Sequence, residues 1–122
     1  TFYSDEYRLK IIFNNLISNA IKYQNPEVDN PYLYIYIAEN EEHKDSPVEI
    51  RLKDNGLGIE HSKLDHIFDM FYRASQDSEG SGLGLYIVKE AVDKLDGEIH
   101  VNSTEYAGTE FIIRLTNQTS DE

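Results

Sequence analysis

The sequence predicts an α+β fold, a two-layer sandwich with helices on one face of a mixed, mostly antiparallel sheet. Three observations carry that reading. Two segments, 6–23 and 83–95, show the three- and four-residue apolar spacing of helices. Four segments alternate apolar and polar residues as strands do. The strands come as two consecutive pairs with helical segments between them. Hairpin-like pairs favour antiparallel pairing, whereas a doubly wound parallel sheet needs strict alternation of strand and helix.

The first helix is marked by Leu9, Ile12, Phe13, Leu16, Ile17, Ala20 and Ile21 on one face. Asp5 or Ser4 suits its N-cap, and Asn25-Pro26 ends it because a residue before proline is pushed out of the α region. Strands follow at 32–39 and 48–53, joined by a polar connection at 40–47. Tyr32, Tyr34 and Tyr36 read as sheet surface. Residues 60–70 form a short helical stretch, and the polar, aperiodic segment 73–79 reads as a mobile loop. The second helix turns Leu85, Val88, Ala91, Val92 and Leu95 inward and stops at Gly97, the expected C′ residue. Strands at 98–103 and 108–116 complete the sheet, with Tyr106-Ala107-Gly108 as the turn between them and a frayed tail after them.

Composition narrows the function. The 122 residues make one domain, 1–122, large enough to bury a core. No apolar run reaches membrane-spanning length, and the absence of cysteine excludes disulfides and thiolate metal sites. A formal charge of -12 repels nucleic acid and acidic membrane surfaces, so neither is an expected partner. An anionic ligand would need backbone amides, a few placed cations or a divalent metal. Thr1 in place of methionine leads us to expect a piece of a longer protein.

Four polar stretches have two readings each. Gly80-Ser81-Gly82-Leu83-Gly84-Leu85 runs into the second helix. It is either a simple turn or a phosphate cradle, in which bare N–H groups and the positive end of the helix dipole face an anion. Asn15, Asn19, Lys22 and Tyr23 fall on one strip of the first helix, either a solvated flank or a ligand wall. Lys10, Asn14 and Ser18 read as solvated. Asp54-Asn55-Gly56-Leu57-Gly58-Ile59 leaves the second strand as a tight turn, or as a site. In a site, the carboxylate accepts from an amine and the glycines admit a flat ring. His61 and His66 read as surface residues.

In this order the stretches resemble the boxes of sensor histidine kinases. Asn15-x-x-x-Asn19-Ala20-x-Lys22-Tyr23 is similar to the N box, Asp54-x-Gly56-x-Gly58 to the G1 box, Phe68-x-x-Phe71-Tyr72-Arg73 to the F box and Gly80-x-Gly82-x-Gly84 to the G2 box. Gly108-Thr109-x-Phe111 resembles the glycine-threonine motif of the last strand. The resemblance covers nearly the whole chain. It implies the Bergerat ATP-binding fold, shared with gyrase, the ninety-kilodalton heat-shock chaperone and mismatch-repair ATPases. The implied cofactors are ATP and Mg²⁺.

On the matching positions the resemblance implies that Asp54 reads the adenine amine, with Gly56, Gly58 and Ile59 beneath the base. Asn19 supplies an oxygen to Mg²⁺, Asn15 is a second polar contact, and Lys22 and Arg73 offset phosphate charge. Asn15, Asn19 and Lys22 are thus the catalytic set. Tyr23 flanks the nucleotide, the amides of Gly82 to Leu85 hold the β and γ phosphates, and Phe71, Gly80 and Ser81 belong to the same binding set. Thr109 supports the Asp54 network through its hydroxyl, and 73–80 form a lid. The implied reaction passes the γ-phosphoryl group to a histidine on a separate dimerisation domain, with a response regulator downstream and a cytoplasmic setting. An asparagine at Asn15, where gyrase-like ATPases carry a glutamate, cannot activate water.

The chain departs from the family in several ways. None of His43, His61, His66 and His100 has the acceptor pattern, the usual elements ahead of the N box are not among these residues, the lid is short, and Ser81 stands where threonine is commoner. A hydrolytic gyrase-like module and a degenerate, non-catalytic sensor domain are the competing readings.

Overall fold

The computed structural model describes residues 3–39, 48–73 and 82–117. Helix α1 spans Glu6–Lys22, strand β1 Leu33–Glu39, β2 Val48–Asp54, α2 Gly84–Lys94, β3 Glu98–Thr104 and β4 Gly108–Leu115. A 3-10 segment, His61–His66, precedes α2. The sheet order is β1-β2-β4-β3, and each of these neighbouring pairs is antiparallel. The expected mixture of parallel and antiparallel pairing is therefore not found among the described strands.

Local chemistry sets the helix ends. Asp5 is the N-cap of α1, its carboxylate accepting from the Arg8 N–H at 3.2 Å. Glu6 in the first turn and Lys22 in the last complement the helix dipole. Tyr23 lies one residue past the helix as its C-cap. At the end of α2 the left-handed residue is Asp96 (φ 56°), not Gly97. Asp96 N–H donates to Asp93 and Gly97 N–H to Val92, which closes a Schellman motif one residue earlier than expected. Aspartate tolerates this backbone through its short polar side chain. Gly97 is needed for another reason: a Cβ there would lie 2.6 Å from the Arg114 carbonyl oxygen.

The core lies between the helices and the inner face of the sheet. Ile12 and Leu16 of α1 and Val88, Ala91 and Val92 of α2 are buried with Val48, Ile50, Leu52, Phe111, Ile113 and Leu115 of the strands. Register aligns Ile50, Ile113 and Ile99 in one cross-strand row and Leu52, Phe111 and Val101 in the next. Ile113 is fully enclosed. We predict that Ile113→Val costs about 1 kcal/mol of stability, read by urea unfolding, because one methylene is lost from a packed site.

One apolar expectation fails. Ile21 is exposed, since the period of α1 runs on past the surface that covers it. Strand β1 is exposed on both faces: Ile35 and Ile37 stand out on one side and Tyr34 and Tyr36 on the other. The tyrosines do lie on the sheet surface, with the Tyr32 and Tyr34 rings stacked at 4.5 Å. On the same open face Glu49 accepts from Arg51 and Arg114. Chiefly through Arg51, its carboxyl is held below the usual 4.5. A depressed folded-state pKa stabilises above the ordinary value and ceases to do so as pH falls through the folded one. Glu49→Gln should accordingly flatten the acid limb of a thermal-stability profile.

Candidate functional site

The apolar rows of the inner sheet face end in a polar row. Register places Asp54 opposite Thr109, and Thr109 opposite Ser103. These three residues share a sheet end with the loop that leaves β2. The Gly56 N–H donates to Asp54 Oδ1 at 2.8 Å, and the Thr109 N–H also supports that carboxylate. Burial nonetheless dominates and raises the Asp54 carboxyl above its usual 3.8. A half-buried acceptor with rigid donors behind it keeps its outward lone pairs for a ligand.

Ser103 ties the row together. Its Oγ accepts from the Ile59 N–H at 2.8 Å and donates to the Gly108 carbonyl at 2.9 Å. A hydroxyl has one proton, so the 2.9 Å contact between the two hydroxyls has Thr109 donating to Ser103. The hydroxyl proton of Thr109 is thus committed to Ser103, while its backbone N–H serves Asp54. This corrects the expectation that the Thr109 hydroxyl carries the Asp54 network.

A cavity of about 700 Å³ opens beside this row. That is within the size range of small-molecule sites. Asn15, Asn19, Lys22 and Tyr23 of the α1 strip all line it, as do Asp54, Gly58, Ile59, Arg73, Gly82, Leu83, Gly84, Leu85 and Thr109. Ser18, expected to be solvated, lies on its edge as well. The two ligand walls that looked separate in the sequence therefore meet. Asn15 Nδ2 donates to the Ile11 carbonyl at 2.7 Å, and its Oδ1 is the nearest group to the space a Cβ on Gly84 would fill.

Helix α2 begins at Gly84, and its N-cap residue, Leu83, makes no side-chain capping bond. Its first N–H groups open onto the cavity wall with the positive end of the helix dipole, a ready site for an anion. Gly82 has φ 77°, and a Cβ there would meet the Phe71 backbone at 2.6 Å. The Phe71 N–H donates to the Gly82 carbonyl at 2.9 Å, so the F-box segment is pinned to the start of α2.

Two expected contacts are not on the cavity wall. Phe71 is exposed, and its contribution is this backbone bond rather than its ring. Tyr72, the next residue, lines the cavity instead. Gly56 lies behind Asp54: a Cβ there would come 2.5 Å from the Tyr23 carbonyl oxygen, which itself accepts from the Leu57 N–H. Gly56 therefore lets the Asp54 loop close on the end of α1. Gly80, Ser81 and most of the expected lid lie outside the described residues. Glu60, Lys63, Glu105 and Tyr106 line the cavity without having been expected there. No cluster of three His, Asp or Glu side chains among the described residues could hold a metal by itself. A divalent ion would need ligand oxygens beside Asn19. The side-chain carbonyl of Asn19 suits a hard cation that keeps phosphate and water in its shell.

A half-buried acceptor and the N-terminus of α2 thus share one cavity on an α+β sandwich. Residues 4–119 match the family described as histidine kinase-, DNA gyrase B- and HSP90-like ATPases, and the chain belongs to that family. It is 37% identical over 117 residues to the autoinducer 2 sensor kinase/phosphatase LuxQ of Vibrio harveyi, covering 93% of this chain and 13% of that protein. It is 37% identical over 122 residues to the sensor protein kinase WalK of Staphylococcus haemolyticus, covering 97% of this chain and 19% of that protein. The chain thus spans less than a fifth of these relatives. Among solved structures, a mycobacterial sensor histidine kinase, MprB, superposes with a TM-score of 0.79 at 26% identity, over 96% of this chain and 77% of that one. Full-length ShkA in complex with AMPPNP shares the fold, with a TM-score of 0.79 at 24% identity over 98% of this chain and 24% of that one. No helix among the described residues is long and apolar enough to cross a membrane.

Proposed function

We propose that this chain is the ATP-binding catalytic domain of a sensor histidine kinase. One observation carries the reading: a single cavity joins the half-buried carboxylate of Asp54 to the N-terminus of α2. The first suits the exocyclic amine of adenine, and the second suits phosphates. Asn19 would supply its side-chain oxygen to Mg²⁺, and Lys22 and Arg73 would offset the phosphate charge. Bound ATP provides the γ-phosphoryl group, and Mg²⁺ offsets its charge. The chain's own part is to fix the base, hold the phosphates on backbone N–H groups and present the terminal phosphate. Asn15 has no base to offer water, which favours transfer to a separate acceptor over hydrolysis.

The acceptor is a histidine on a dimerisation domain, and a response regulator takes the phosphate afterwards, in a cytoplasmic setting. The likeness to sensor kinases such as WalK supports both partners in general terms. We predict that Asn19→Ala lowers phosphoryl transfer to an added histidine-bearing dimerisation domain by roughly 100-fold, the scale of losing a positioned charge-stabilising contact. Adenosine affinity, read by calorimetry, should stay within about twofold, since that ligand has no phosphate for the metal to join. Steady ATP hydrolysis by the wild-type chain, with no transfer to the acceptor, would contradict the assignment.

A further inference from the structure

The geometry points to Tyr106 as a nucleotide-binding residue whose ring covers one face of the bound base; the inference rests on the nucleotide reading of the cavity. Tyr106 has φ 64°. A bulky side chain seldom adopts that backbone, which glycine enters without strain. Among the described residues, the other two non-glycine residues with positive φ have reasons in the fold: Asp96 closes α2, and Phe71 is bonded to Gly82. The Tyr106 ring has no such reason. The residue is 70% exposed, and it is not part of the apolar core. For the turn alone, glycine or asparagine would serve better.

The position of the residue is nevertheless closely fixed. The Tyr106 N–H donates to the carbonyl of Leu57, in the loop that leaves Asp54. The Ala107 N–H donates to the Thr104 carbonyl at 2.9 Å and closes the turn. Gly58 makes a second junction between the same two loops, since a Cβ on it would lie 2.1 Å from the Thr104 carbonyl oxygen. The β3–β4 turn and the Asp54 loop thus hold one another, and both line the cavity. Tyr106 lines the same cavity as Asp54, Gly58 and Thr109.

A base bonded to Asp54 by its edge leaves its two faces to be covered. An exposed aromatic ring on a fixed backbone can fold onto one of them by side-chain rotation alone. Backbone strain beside a ligand cavity, with no packing return, is the pattern expected where a side chain is held for binding. Stacking is indifferent to hydrogen-bond pattern, so Tyr106 adds affinity while Asp54 adds selectivity.

The test is calorimetry on the 122-residue chain with ATP and, separately, with inorganic tripolyphosphate, each with Mg²⁺. Tyr106→Phe should match wild type. Tyr106→Asn and Tyr106→Gly keep or ease the left-handed backbone but remove the ring. Both should bind ATP about 10-fold more weakly, the low end of base-aromatic stacking. Their tripolyphosphate affinity should be unchanged and their melting temperatures no lower than wild type. Wild-type ATP affinity in both variants would overturn the role of Tyr106 and leave the nucleotide site standing. Parallel loss of ATP and tripolyphosphate binding would make the residue a scaffold and also overturn it. A wild-type chain that binds no ATP would contradict the nucleotide reading and this inference together.

Discussion

Asp54→Asn should weaken ATP binding by about 100-fold or more while leaving the fold as stable as before or more so. Both halves follow from the same geometry. The carboxylate is held from behind by the N–H groups of Gly56 and Thr109. An asparagine would turn its oxygen to those donors and its NH₂ into the cavity. That would set a donor against the donor amine of adenine, leaving both unpaired where water is scarce. The stability half has a definite sign. Burial raises the Asp54 carboxyl above 3.8, so the folded chain holds that proton more tightly than the unfolded one. The stabilising contribution is complete below 3.8 and is lost as pH rises through the raised folded value. At neutral pH the charged group is a net cost, and asparagine carries none of it. Calorimetry for affinity and thermal melting at neutral pH check the two halves. Affinity lost together with stability would mean that Asp54 holds the fold rather than the ligand.

Gly108→Ala should produce the largest loss of stability, about 3 kcal/mol, and should damage the site with it. Gly108 opens β4 at φ 121°, a region that side chains rarely enter. A Cβ there would fall 2.0 Å from the Asp54 carbonyl oxygen and 3.0 Å from Asn55 Cα. Backbone strain and steric overlap each contribute on the order of 1–3 kcal/mol. Relief requires β4 to move away from the end of β2. That movement would pull the Thr109 N–H from Asp54 and the Gly108 carbonyl from Ser103, so the remaining folded protein should also bind ATP poorly. Urea unfolding and an ATP titration on the same preparation would read both effects. A stable variant with wild-type affinity would show that the close approach of these strands is dispensable.

The parts of the site carried by short-range spacing were legible in the sequence. Asn15, Asn19 and Lys22 share a helical strip whatever packs against it, with Tyr23 just past its end, and Asp54 stands at a strand end next to glycines that only a close approach requires. What escaped was set by tertiary register. Nothing adjacent to Ser103 marks it; it matters because β3–β4 pairing puts it beside Thr109. The choice between Phe71 and Tyr72 at the cavity depends on the left-handed backbone of Phe71 (φ 65°), which turns the chain just before Gly82 pins it. Asp96 took the cap expected of Gly97 because the strand behind Gly97 leaves no room for a side chain. The exposure of β1 was hidden for a similar reason: alternation marks a strand but does not say what covers it. Tyr106 read as a turn residue, and only its backbone angle and its place on the cavity wall give it a further role.

The central claim is that one cavity binds the base at Asp54 and the phosphates at the start of α2. An amide NMR titration of the chain with Mg-ATP tests it most directly. The account predicts that the signals of Asp54, Gly56 and Thr109 and those of Leu83, Gly84 and Leu85 shift together along one saturation curve. With inorganic tripolyphosphate the second group should move and the first stay in place. Shifts confined to one group with ATP, or to residues away from the cavity, would contradict it.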